Sequence, residues 1–157
     1  MALRAVVGFG ANLGDRLATM RAALAELSQA THVERTSHVY ATAPIGVVPQ
    51  DEFLNAAALV FHDGTPDGLL EVLLAIEQRL GRVRREKWGP RKIDLDLLWV
   101  DGVALESERL TLPHPQLQFR AFALVPMLEL IPDATDPTTG VRYVVPPGDV
   151  RATEEIL

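Results

Sequence analysis

A chain of 157 residues suits one domain with a proper hydrophobic core and leaves little room for a second. Apolar residues at 48% and charged residues at 23% exclude a disordered, collagen-like or coiled-coil chain, and no apolar run reaches the roughly 18 residues of a membrane span. The absence of cysteine excludes disulfides, thiolate metal sites and a thiol nucleophile, and a net charge of -6 argues against a protein that coats nucleic acid.

Leu3 to Phe9 reads as a strand ending in glycines. Leu13, Leu17, Met20, Leu24 and Leu27 then recur at helical spacing behind Asn12 or Asp15 as caps. His32 to Ala41 reads as one strand running into a loop shaped by Pro44, Gly46 and Pro49. Phe53 to Phe61 is apolar on both faces and suits a central strand. Thr65 and Pro66 open a helix carrying Leu69, Leu73, Ile76 and Leu80, with Gly81 as its stop. Residues 82–91 read as a loop, Ile93 to Val100 as a strand, and Asp101-Gly102 as a hairpin turn leading into a partner at Val103 to Leu105. Phe119 to Ile131 is a last helix, kinked at Pro126, and residues 132–157 form a peripheral tail with a short strand at Val141 to Val145. The expectation is a single domain, 1–157, of α+β class with a βαββαβ order and an added hairpin.

Asp94-Leu95-Asp96 carries the strongest chemical signal, because strand residues two apart point to one face, with α-carbons about 6.5 to 7 Å apart. Ile93, Leu95, Leu97 and Trp99 form the opposite, core face. Two readings stand: an exposed strand face neutralised by salt bridges, or hard oxygen ligands for Mg²⁺, which takes one or two carboxylates and completes its shell with water and phosphate oxygens. The charge map bears on the choice. Residues 79–92 hold Arg79, Arg82, Arg84, Arg85, Lys87, Arg91 and Lys92 against Glu86, a local +6, leaving -12 elsewhere. Fork-shaped guanidiniums beside a carboxylate pair suit a magnesium-bound polyphosphate, and Gly81, Gly89 and Pro90 suit a segment that closes over it.

Gly8, Gly10 and Gly14 have the spacing GxGxxxG, which departs from the dinucleotide fingerprint. They are expected to serve a tight turn and close helix packing, while the helix start places Asn12 near a ligand. His32, His38 and His62 lack metal-ligand spacing and read as structural; His114, between Pro113 and Pro115, is a candidate phosphate contact or proton donor. Phe53 and Phe122 are either ordinary core or two rings sandwiching a flat heterocycle whose edge bonds Asn55 and the carbonyls of residues 42–46. The residues alone leave open another Mg²⁺-dependent enzyme with a paired-aspartate strand, and a binding domain without catalysis.

Gly-Arg-Val-Arg at 81–84, Lys-Trp-Gly-Pro-Arg at 87–91, Asp-Leu-Asp at 94–96, Leu-Pro-His-Pro at 112–115 and Arg-Ala-Phe at 120–122 together resemble the 6-hydroxymethyl-7,8-dihydropterin pyrophosphokinases of folate biosynthesis. Gly-Ala-Asn-Leu-Gly-Asp at 10–15, Thr-Ala-Pro-Ile-Gly at 42–46 and Phe-Leu-Asn-Ala-Ala at 53–57 extend the likeness over about residues 5 to 133. The resemblance implies a ferredoxin-like fold with helices on both faces of a mainly antiparallel sheet. It implies transfer of pyrophosphate from MgATP to the pterin hydroxymethyl group, with release of AMP. Asp94 and Asp96 then match ligands of two Mg²⁺ ions, and Arg82 and Arg91 match arginines acting on the triphosphate. Glu77, Arg84, Trp88, Arg109, Thr111, His114 and Arg120 fall where the family holds ATP; Thr42, Pro44, Gly46, Phe53, Asn55 and Phe122 fall where it holds the pterin. Phe53 stands where some members have tyrosine, Lys87 where arginine occurs, Leu74 where some have glutamine, and Pro115 where tyrosine occurs. The expected partners are these two small molecules, with no nucleic acid and no membrane, in a cytoplasmic monomer.

Overall fold

The computed structural model describes residues 2–12, 14–42, 52–80 and 93–157. The Gly81 stop, the basic loop 82–91 and the loop after Thr42 lie outside them. Strand β1 (Leu3–Ala11) leads to helix α1 (Arg16–Ala30), strands β2 (His32–Thr36) and β3 (His38–Thr42), strand β4 (Phe53–His62), helix α2 (Pro66–Leu80) and strand β5 (Asp94–Val100). Two short strands, β6 (Leu105–Glu106) and β7 (Thr111–Leu112), a single 3-10 turn at Leu117–Phe119, helix α3 (Ala121–Leu130) and strand β8 (Val150–Ile156) complete the order.

The main sheet runs β5-β1-β4-β3-β8, with β2 also pairing β4, and every pairing is antiparallel. Helices α1 and α2 pack on one face over Ala5, Val7, Phe9, Ala56, Ala58 and Val60; α3 packs on the other over Val6, Ala57, Leu59, Leu98 and Trp99. Strand β4 is therefore central and apolar on both sides, as its sequence indicates, and the α+β architecture with helices on both faces is the expected one. Of the two caps considered for α1, Asp15 serves: its carboxylate accepts the Ala18 N–H at 3.1 Å. At the other helix, the Thr65 hydroxyl accepts the Gly68 N–H at 3.0 Å just before Pro66.

Four local expectations are corrected. The strand expected over His32 to Ala41 breaks at Ser37, which is fully buried and exchanges bonds with Ala57: its N–H donates to the Ala57 carbonyl and its hydroxyl accepts the Ala57 N–H. Alternation along β5 fails at Leu98, because the β1 register slips between Val6 and Val7, where Val7 pairs with Leu97 and Val6 with Trp99. The extra residue turns Trp99 onto the α3 face, where its indole N–H donates to the Thr135 carbonyl at 2.9 Å. The Asp101-Gly102 turn is present, with Gly102 at φ 71, yet the following segment pairs with Thr111–Leu112 rather than with β5, forming a separate two-stranded ribbon. The tail strand lies at Val150–Ile156 rather than 141–145, and it pairs with β3 as an outer strand of the main sheet, so residues 132–157 are not merely peripheral. Pro126 sits buried inside α3. No helix among the described residues is long and apolar enough to cross a membrane.

A polar clamp ties α3 to β3. Glu129 accepts from the Tyr40 hydroxyl at 2.5 Å and from the His38 backbone N–H, and pairs with His38 Nδ1 at 3.0 Å. Burial pushes the Glu129 carboxyl up, but the Tyr40 and His38 bonds outweigh it and hold the group below the ordinary glutamate value. A carboxyl depressed in the folded state stabilises above its unfolded value, and that increment is lost as pH falls through the folded value. Glu129→Gln is therefore expected to lower the urea midpoint at neutral pH, with the gap to the parent closing under acid; a gap independent of pH contradicts this.

Candidate functional site

The sheet order brings residues far apart in sequence into two rows. Gly10 lies between Asp94 on one side and Asn55 on the other, with Tyr40 beyond; Gly8 lies between Asp96 and Ala57. Both glycines sit within β1 rather than in a turn, which corrects the role expected of them. They share the α3 face with Val6, and the lack of side chains there leaves a hollow between β5 and the start of α3. A β-carbon on Gly10 would sit 3.3 Å from the Asn55 amide nitrogen, and one on Gly8 2.9 Å from Leu98 Cδ1.

That hollow is a cavity of about 590 Å³. Gly8, Gly10 and Asn12 line one side, Thr42, Phe53 and Asn55 a second, Asp94, Asp96 and Leu98 a third, and Arg120, Phe122 and Ala123 the last. Asn55 is buried, and its carbonyl accepts the Thr42 hydroxyl at 3.1 Å, leaving the amide NH₂ over Gly10 as a donor toward the cavity. The guanidinium of Arg120 stacks on the Phe122 ring, 5.6 Å from its centroid. Two phenyl rings with convergent amide and hydroxyl groups suit a flat, hydrogen-bonding heterocycle.

A second cavity of about 290 Å³ lies across Asp96. Arg109, Thr111 and His114 line it together with apolar Leu70, Leu95 and Leu97. Arg109 pairs with Glu71 of α2, and the His114 N–H donates to the Leu98 carbonyl at 2.8 Å, tying this segment to β5. The Leu112-Pro113 peptide is cis. Burial holds the His114 imidazole below the ordinary histidine value; the Arg120 cation adds to this and the Asp96 carboxylate opposes it. The Gln116 N–H donates to His114 Nδ1 at 3.1 Å, so the neutral ring carries its proton on Nε2, as a hydrogen-bond donor. Asp96 is the residue common to both cavities.

The carboxylate pair fits magnesium by its chemistry. Two oxygen-donor side chains on one strand face match an ion that takes one or two carboxylates and keeps water and phosphate in its shell.

Thr42, Phe53, Asn55, Phe122, Arg120, Asp94 and Asp96 thus meet in the first cavity, and Arg109, Thr111 and His114 meet in the second. Glu77 lines neither; it is buried, and its carboxylate accepts the Leu95 N–H at 3.0 Å. Arg82, Arg84, Trp88, Arg91, Pro44 and Gly46 lie outside the described residues. Sequence reasoning missed Gly8 and Gly10 as the cavity floor. Their period of two on the strand that pairs with Asp94 and Asp96 is the signal that marks them. Gly10→Val places branched methyls against Asn55 and is expected to raise the KM of the first-cavity substrate by about 10-fold or more, as an overpacked site loses on the order of 1–3 kcal/mol. An unchanged KM would show that nothing binds over Gly10.

Residues 6–132 match the 7,8-dihydro-6-hydroxymethylpterin-pyrophosphokinase (HPPK) family. A 2-amino-4-hydroxy-6-hydroxymethyldihydropteridine pyrophosphokinase of Methylorubrum extorquens is 43% identical over 155 residues, 98% of each chain. Its namesake from Synechocystis is 46% identical over 142 residues, covering 89% of this chain and 72% of its own. The crystal structure of wild-type Plasmodium falciparum HPPK-DHPS superposes with a TM-score of 0.69 over 91% of this chain, which spans 40% of that longer one; at 15% identity the likeness is one of fold. With two cavities meeting at Asp96 and the family match running from β1 through α3, this chain belongs to the 7,8-dihydro-6-hydroxymethylpterin-pyrophosphokinase family.

Proposed function

We propose that this chain transfers the pyrophosphoryl group of MgATP to the hydroxymethyl oxygen of 6-hydroxymethyl-7,8-dihydropterin, with the pterin in the Phe53/Phe122 cavity and the nucleotide in the Arg109/His114 cavity. The observation that carries this reading is the place of Asp96, on the wall common to both cavities, with Asp94 two residues away on the pterin side. The reaction needs the two substrates to meet across a polyanion, and that boundary is where a metal-binding carboxylate is of use.

In the step itself the hydroxymethyl oxygen forms a bond to the β-phosphorus of ATP. The bridge from that phosphorus to the α-phosphate breaks, AMP leaves, and the hydroxyl proton is lost to solvent. Asp94 and Asp96 would hold two Mg²⁺ ions, which neutralise phosphate oxygens and lower the pKa of the attacking hydroxyl. Phe53 and Phe122 hold the pterin ring flat, and the Asn55 amide bonds its edge. His114 donates from Nε2 to a phosphate oxygen, and Arg120, packed on Phe122, spreads charge at the junction. Arg82, Arg84, Trp88 and Arg91, from the basic segment, act on the triphosphate in the same reading. Pro44 and Gly46 complete the pterin side, and Glu77 bears on the nucleotide side through β5. In the same reading the catalytic unit is a monomer of one domain, 1–157.

Phe122→Ala separates the two cavities experimentally. Losing one stacking ring is expected to cost about 1–3 kcal/mol of pterin binding, raising its KM roughly 5- to 150-fold, with the KM for ATP nearly unchanged. A rise confined to ATP would reverse the assignment of the cavities.

A further inference from the structure

Glu77 is an acid in a place that disfavours acids. It lies on the sheet-facing side of α2 with Leu69, Leu73 and Ile76, and is 7% exposed. A buried carboxylate is tolerated when it is hydrogen-bonded, and here its Oε2 accepts the Leu95 backbone N–H at 3.0 Å. Among the described residues, strand β5 is the outer strand on its side of the main sheet, pairing within that sheet with β1. Alternate amides of such a strand point away from the sheet and need a partner of another kind. Leu95 is the residue between Asp94 and Asp96, and its side chain is buried on the α1/α2 face while the two aspartates face the cavity. Holding the Leu95 amide therefore sets where the two neighbouring side chains project.

We infer that Glu77 is a positioning residue: its carboxylate pins the middle of the Asp94-Leu95-Asp96 segment to α2 and so fixes the spacing and aim of the two carboxylates. This rests on the reading of Asp94 and Asp96 as the metal-holding pair. It departs from a direct nucleotide contact, since Glu77 lines neither cavity. What the Leu95 amide requires of residue 77 is an acceptor of the right reach. Glutamine keeps the acceptor and the reach, methionine removes the acceptor while filling the same volume, and aspartate keeps the charge but falls short.

The test combines amide exchange in the free protein with steady-state kinetics. Glu77→Gln is expected to keep Leu95 protection and a kcat within about 3-fold of the parent. Glu77→Met and Glu77→Asp are expected to speed exchange at Leu95 by about 10-fold or more and to lower kcat by about 10-fold or more, with both KM values within about 3-fold. Should the methionine variant fail to fold, the aspartate and glutamine variants decide the matter between them. Three results would overturn the inference: a glutamine variant as impaired as the aspartate one, lost turnover with Leu95 protection intact, or a loss expressed in the KM for ATP. Asp96→Asn serves as the control, with Leu95 protection retained whatever its activity. An active Asp96→Asn enzyme would remove the metal reading while leaving the exchange result on Glu77 intact.

Discussion

Asp96→Asn is expected to lower kcat by on the order of 10³-fold while leaving the unfolding midpoint nearly unchanged. The activity loss follows from position: Asp96 borders both cavities, and asparagine has the same shape without the charge that holds a metal against phosphate. The stability expectation follows from shape. Asparagine is isosteric with aspartate, so the packing of β5 is kept. Measuring kcat under saturating ATP and pterin alongside urea unfolding reads both terms. A variant that keeps most of its turnover contradicts the role of the pair, and one that loses activity only because it unfolds leaves the midpoint displaced.

Leu73→Ala is expected to have the largest effect on the fold. Leu73 is fully buried on α2, beneath which the sheet supplies Val7, Phe9 and Val60 to the same core. Truncation removes the transfer free energy of the lost carbons and leaves a cavity that close-packed neighbours fill only in part, costing about 2–5 kcal/mol. At roughly 2–4 °C per kcal/mol for a chain of this size, the melting midpoint is expected to fall by roughly 4–20 °C. Turnover well below that midpoint is expected to persist, because Leu73 reaches neither cavity. A loss under about 1 kcal/mol in urea titration would show that α2 is not packed as described.

Both results bear on what was legible before the fold was known. The α2 pattern carried its own punctuation: Thr65 and Pro66 set the start and Leu69, Leu73 and Ile76 the buried face. The central place of β4 could be read from apolar residues at both parities. The register slip at Leu98 could not, because Leu97, Leu98, Trp99 and Val100 are all apolar and suit either face. Strand β8 was hidden for the opposite reason. Val150–Ile156 is mostly polar and exposed, and what makes it a strand is an open row of amides and carbonyls on β3. The break at Ser37 arises from a tertiary bond to Ala57 that no local preference announces.

The site divides along the same line. Two aspartates inside an apolar strand stand out in the sequence because that context demands a reason for them, whereas two glycines after a strand look like a turn. Only the order β5-β1-β4 aligns Gly10 with Asp94 and Asn55 and turns missing side chains into a cavity floor. Glu77 shows a further gap. Its place among nucleotide contacts is given by resemblance, and its bond to Leu95, 18 residues away, becomes visible only in the fold.

The central claim is that one chain joins a pterin hydroxymethyl group to a pyrophosphoryl group from ATP. The most direct measurement incubates the purified protein with ATP, Mg²⁺ and 6-hydroxymethyl-7,8-dihydropterin and follows the nucleotide products. AMP appearing in step with pterin diphosphate, and absent when either the pterin or Mg²⁺ is withheld, is the predicted result. ADP as the product, or nucleotide turnover that does not depend on the pterin, would contradict it.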